Sequence, residues 1–176
     1  MRYLKQRDSN SCGVIAVMNA RRWMGEEIHY DNIYRPLRKE LNCSFRRSGY
    51  GWFNGTHHSD IYKVTKKYAH LNGFTVTKEI HPSTLAIRNH ILWGSVVILG
   101  YLVIERVDSS HGIHSRIKNY HKGHWTFVHR FEKNEFHLAN DEKEKISIET
   151  MNKYCEMHLS AGGHYPIAFI LRKKKR

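Results

Sequence analysis

The residues of this chain best suited to covalent chemistry stand in Gln6-Arg7-Asp8-Ser9-Asn10-Ser11-Cys12-Gly13, which runs at once into the apolar stretch Val14-Ile15-Ala16-Val17-Met18. A polar loop here delivers a cysteine to the first turn of a buried helix. A helix N-terminus carries partial positive charge and unpaired N–H groups, which favour a thiolate over a thiol. A lone free cysteine is more often a small buried hydrophobe, so a nucleophile requires a partner base. His124 is the candidate: it follows Gly123 and opens the run Trp125-Thr126-Phe127-Val128, and Asn140-Asp141 closes the next apolar run. Antiparallel neighbours joined by a tight turn bring the start of one strand beside the end of the other. Asn140 or Asp141 is therefore expected beside His124. Cysteine, histidine and a carboxamide or carboxylate are the parts of a thiol hydrolase: nucleophile, base and the group that orients the base. The N–H of Cys12 and the side-chain amide of Gln6 are candidate oxyanion donors.

The elements that must position these groups are legible in outline. Ser11 is expected to cap a helix over residues 12–24 that Gly25 ends in a left-handed turn. Residues 30–41 have helical periodicity, with Pro36 near the first turn or at a kink. The Gly-, Ser- and Arg-rich stretch 44–54 reads as a loop, and a further amphipathic helix ends at Asn72-Gly73. Residues 74–78 alternate as a strand. Pro82-Ser83 opens a helix to Trp93 with Leu85, Ile87, Ile91 and Leu92 on its apolar side and Gly94 at its end. Residues 95–104 are β-branched enough for a central strand. A polar insertion over 105–123, with His111, His114 and His121, reads as a lid, a specificity loop or a plain solvated loop. Residues 125–131 and 135–138 form a hairpin turning at Lys133-Asn134. Ser147 caps a helix to His158, and residues 165–171 supply the closing strand. Helices followed by a mostly antiparallel sheet make an α+β fold. The cleft between the two parts is the expected site. Trp23, Trp93 and Trp125 fall on apolar faces and are expected in the core.

With 176 residues the chain suits one domain over 1–171, followed by a basic tail over 172–176. Three cysteines, Cys12, Cys43 and Cys155, lie too far apart for a disulfide framework or a zinc knuckle. The histidines lack ligand spacing on any one element, so neither a metal nor another cofactor is implied. There is no signal-peptide pattern and no apolar run of about 20 residues, from which a soluble, cytoplasmic protein is expected. The net charge of +13 predicts attraction to acidic partners. Nucleic acid is a secondary expectation, because the basic residues form no reading motif.

Gln6, Asp8, Cys12 and Gly13, together with Gly123-His124-Trp125-Thr126-Phe127-Val128 and Phe136-His137-Leu138-Ala139-Asn140-Asp141, resemble the motifs of the bacteriocin-processing, double-glycine leader peptidases. The late segment 147–158 also looks like that family's, so the resemblance covers residues 3–171. It implies a papain-like fold and a cysteine peptidase in which Cys12 is the nucleophile, His124 the general base and acid, Gln6 the oxyanion donor and Asn140 the orienter of the imidazole. The family's usual Asp-Pro step is Asn140-Asp141 here, so Asp141 is the alternative third member. The implied substrate is a peptide or protein, and Lys5, Arg7, Arg46, Arg47, Arg106, Arg116, Lys118 and Lys122 would favour an acidic one. Two other classes use the same residues differently: an acyltransferase or deamidase with the same triad, and a catalytically inactive basic binding module.

Overall fold

The computed structural model describes residues 3–6, 11–48, 51–107, 118–140, 143–156 and 165–174, with backbone alone for 44–48, 51–55, 103–107 and 118–122. In chain order the elements are α1 (Cys12–Trp23), α2 (Tyr30–Glu40), β1 (Ser44–Ser48), β2 (Gly51–Gly55), α3 (His58–Leu71), β3 (Phe74–Ile80), α4 (Thr84–Leu92), β4 (Val96–Val107), β5 (Lys118–Glu132), β6 (Glu135–Ala139), β7 (Lys145–Ser147), α5 (Ile148–Glu156) and β8 (Ile167–Lys173).

Six strands form one sheet in the order β3-β8-β4-β5-β6-β7, every neighbouring pair antiparallel. Each face of this sheet is apolar and each is covered, which gives two core layers. One layer joins α1 through Val14, Ile15 and Met18 to Ile98, Trp125, Phe127 and Phe169. The other joins α4 and α5 through Ile87, Ile91, Met151 and Cys155 to Val97, Leu99, Tyr101 and Val128. This is the α+β arrangement expected from the sequence.

Turn and cap chemistry follows the residues. Gly25, Gly73 and Gly94 all have positive φ just past helix ends, where a side chain would be strained. Lys133 and Asn134 both have positive φ, the pattern of a two-residue hairpin turn. Ser83 Oγ accepts from the Ala86 N–H at 3.1 Å, and Ser147 Oγ accepts from the Thr150 N–H at 3.2 Å.

Several expectations are corrected. Ser11 stands at the N-cap of α1, but its φ of −97° and ψ of 8° turn it away from the extended cap geometry, and its hydroxyl takes no cap hydrogen bond. Ser44–Ser48 and Gly51–Gly55 are paired antiparallel strands, with Arg46 opposite Phe53 and Arg47 opposite Trp52; the aromatic residues favour strand despite the loop-like composition around them. Of the two expectations for Pro36, the first turn is excluded, because the residue lies well inside α2. On α4 the apolar contact with the core is made by Ile87 and Ile91, while Leu85, Leu92 and Trp93 are exposed, because at 3.6 residues per turn they point away from that stripe. The closing strand runs through Lys173, with the Thr75 hydroxyl donating to the Arg172 carbonyl, so the first two residues of the expected tail belong to the sheet.

The largest departure concerns the polar insertion. β4 and β5 continue pairing from Tyr101 opposite His124 out to Val107 opposite Lys118. β8 accompanies β4 only as far as Gly100, and β6 meets β5 only from Phe127 onward. The flanks of the insertion are thus a two-stranded arm that extends past the main sheet. His124 stands at its root rather than at the start of a strand. His111 and His114 lie outside the described residues.

Candidate functional site

Cys12 opens α1 and is buried, as are Cys43 and Cys155; all three are free thiols. Gly13 has a packing reason. A Cβ there would lie 2.9 Å from Ile61 Cδ1 and 3.0 Å from Thr56 Cβ, so α3 and the residue that follows β2 press closely on the first turn of α1 and would have to shift. Thr56 is held from the other side, where the Trp125 indole N–H donates to its carbonyl at 3.2 Å. Trp125 in turn lies over Gly100, its register partner, where an added Cβ would meet the ring at 2.6 Å.

Asn140 is the junction of this region. Its φ of +65° places it in the left-handed region, and the side chain is almost fully buried. The amide nitrogen donates to the Trp125 carbonyl at 2.7 Å and to the Cys12 carbonyl at 3.4 Å, and the amide oxygen accepts from the Phe127 N–H at 3.2 Å. One carboxamide therefore satisfies three buried backbone groups from two elements. The Cys12 carbonyl and the Trp125 carbonyl can be no further apart than these two hydrogen bonds together span, so the tip of α1 meets the middle of β5, next to His124 in the chain.

The side chains of that meeting point have distinct neighbours. Cys12 belongs to the core layer on the α1 side. Tyr165 is its neighbour: burial first, and then the nearby Cys12 charge, push the phenol well above its ordinary range. The Tyr165 ring also meets Trp125 edge-on at 5.8 Å. Successive strand residues point to opposite faces, so His124 stands on the other side from Trp125. Its ring meets Tyr101 at 5.4 Å, and Tyr101 stacks on Tyr154 of α5 at 4.0 Å. His124 Nε2 is itself buried.

Gln6 is half-buried. The segment carrying it is tied to α1 at Asn19, whose side chain accepts from the Leu4 N–H at 2.7 Å and donates to the Leu4 carbonyl at 3.0 Å. Lys5, expected to face an acidic substrate, pairs with Glu144 at 2.6 Å on the surface. Asp141, Arg7 and Arg116 lie outside the described residues, as do the side chains of Arg46, Arg47, Arg106, Lys118 and Lys122.

Sequence reasoning missed Tyr165, Tyr101 and Thr56. Each reaches the site from a distant element, and none stands in a motif. Among the described residues no helix is long and apolar enough to cross a membrane.

No protein-family model and no curated protein matches the sequence. Solved structures do resemble the fold. A protein described as a C39-like peptidase from Bacillus anthracis superposes with a TM-score of 0.63 at 12% identity, covering 99% of this chain and 96% of its own. A double-glycine motif protease from an AMS/PCAT transporter, solved in complex with the leader peptide, superposes with a TM-score of 0.55 at 10% identity, covering 98% of this chain and 91% of its own. The chain therefore has the fold of C39 papain-like peptidases.

Proposed function

We propose that the chain is a cysteine peptidase that hydrolyses a peptide or isopeptide bond. The observation that carries this reading is the Asn140 junction, which joins the tip of the Cys12 helix to the backbone of β5 next to His124 within a peptidase fold. In the proposed reaction the Cys12 sulfur attacks the substrate carbonyl carbon, and His124 first takes the thiol proton and then gives it to the departing amine. The resulting thioester is hydrolysed by a water that His124 deprotonates, which regenerates the thiol. N–H groups of the first turn of α1 and the Gln6 amide stabilise the oxyanion. The residue that orients His124 comes from the Asn140–Asp141 pair. No cofactor takes part, and the peptide ligand of the transporter protease makes an extended peptide or protein segment the proposed substrate class.

The test is digestion of a mixed peptide library read by mass spectrometry. Wild-type protein is expected to cleave, and Cys12→Ala and His124→Ala to cleave nothing while keeping the wild-type circular dichroism. Cleavage by folded Cys12→Ala overturns the proposal. Faster turnover with an added amine than with water would make the chain an acyltransferase instead.

A further inference from the structure

Asn140 has a more specific task than the sequence suggests. A group that orients a catalytic imidazole offers it an oxygen. Here that oxygen accepts from the Phe127 N–H, and both amide hydrogens are directed at carbonyls, those of Trp125 and Cys12. Trp125 and Phe127 direct their backbone groups toward the β6 side of β5, at the point where the β5–β6 ladder ends with Phe127 opposite Ala139. The carboxamide thus stands in for one further residue of a pairing strand. It closes the open edge of β5 and uses its second hydrogen to hold the α1 tip against that edge. The left-handed backbone at Asn140 turns the chain out of the β6 line just there, a conformation that asparagine tolerates better than most residues.

We infer that Asn140 is a positioning residue, a strand-edge clamp that sets the Cys12 helix tip against the His124 strand through backbone bonds, and not the group that orients the imidazole. This rests on the peptidase reading for its consequence in catalysis. The clamp itself can be tested without it. Asp141, next in the chain, then remains the sequence candidate for the orienting role.

The two roles respond oppositely to charge. A carboxylate orients an imidazole at least as well as a carboxamide, so an orienting residue tolerates Asn140→Asp. In a clamp the same substitution sets an anionic oxygen against two carbonyl oxygens and removes both donors. Asn140→Gly keeps the left-handed backbone and deletes only the amide.

The experiment compares Asn140→Asp and Asn140→Gly with wild type by amide hydrogen exchange, urea unfolding and iodoacetamide labelling of Cys12. Phe127 N–H is expected to lose protection in Asn140→Gly and to keep it in Asn140→Asp, where an oxygen acceptor remains. Asn140→Asp is expected to alter the Cys12 labelling rate by roughly tenfold, the scale of one buried hydrogen bond. Its unfolding midpoint should recover as the pH falls and the carboxyl regains a proton to donate. Wild-type stability and labelling in Asn140→Asp, or unchanged Phe127 protection in Asn140→Gly, overturns the clamp. If a variant does not fold at neutral pH, the same exchange measurement on Asn140→Ser decides, since a clamp predicts lost Phe127 protection there and an orienting role predicts none. These readouts need no substrate, so a failed peptidase reading leaves them standing, and a failed clamp leaves hydrolysis by Cys12 untouched.

Discussion

The side-chain amide of Asn140 lies 3.4 Å from the carbonyl oxygen of Cys12, across 128 residues of chain. This contact links the first turn of the N-terminal helix to the end of the β5–β6 hairpin. The same amide also donates to the Trp125 carbonyl, next in the chain to His124.

The first consequence concerns thiol reactivity. All three cysteines are buried, but only Cys12 stands at a helix N-terminus. Burial pushes the Cys155 thiol up, so Cys155 is expected to label last. Iodoacetamide labelling followed across pH by mass spectrometry should find Cys12 ahead of both others. His124→Ala should shift the pH profile of Cys12 alone. An unchanged profile would mean that the imidazole, which lies on the Tyr101 side of the sheet, does not act on the thiol.

A second prediction concerns the wall beneath the site. Gly100→Ala would drive a methyl group into the Trp125 ring, 2.6 Å from its nearest atom. Overpacking of this kind costs about 1–3 kcal/mol. Urea unfolding should show that loss together with a shifted tryptophan emission, whereas Gly25→Ala, with open space around it but φ of +99°, should destabilise without disturbing Trp125.

The third prediction concerns the brace behind α1. The Arg21 guanidinium is held between Glu26, to which its Nε donates at 2.9 Å, and the Tyr68 ring, 3.8 Å away. Arg21 is nearly buried, and Glu26 is largely so. Glu26→Gln leaves that cation without its anion and is expected to cost about 1.5–3 kcal/mol, the range for hydrogen bonds to charged groups. The cost should show in the urea midpoint.

The fourth prediction is an acid weakness with a defined window. Burial, followed by the charges of His137, Arg130 and the N-terminal amine, lowers the His129 imidazole from 6.5 to about 4. As the pH falls through 6.5 the unfolded chain takes up a proton that the folded chain refuses, so stability declines from there and levels off below about 4. His137, also lowered chiefly by burial, acts in the same direction. His129→Phe should flatten the decline in urea midpoint between pH 6.5 and 4, and an equally steep decline in that variant would rule His129 out as its source.

What could be read from the sequence was local. Gly25, Gly73, Gly94 and the Lys133-Asn134 turn mark their own places, because positive φ is a property of one or two residues. Apolar periodicity located the helices, and the segregation of helix from strand fixed the α+β class. The β1–β2 pair and the β4–β5 arm escaped because polar, basic strands carry no alternation to betray them, and pairing with another strand is what makes them strands. At the candidate site, the sequence named Cys12, His124 and either Asn140 or Asp141 by residue type and hairpin spacing. Only the folded chain assigned Asn140's hydrogen bonds to the backbones of Cys12, Trp125 and Phe127, and only it brought Tyr165 beside Cys12. A side chain's partner is chosen by which buried groups tertiary packing leaves within its reach, and spacing along the chain carries no record of that.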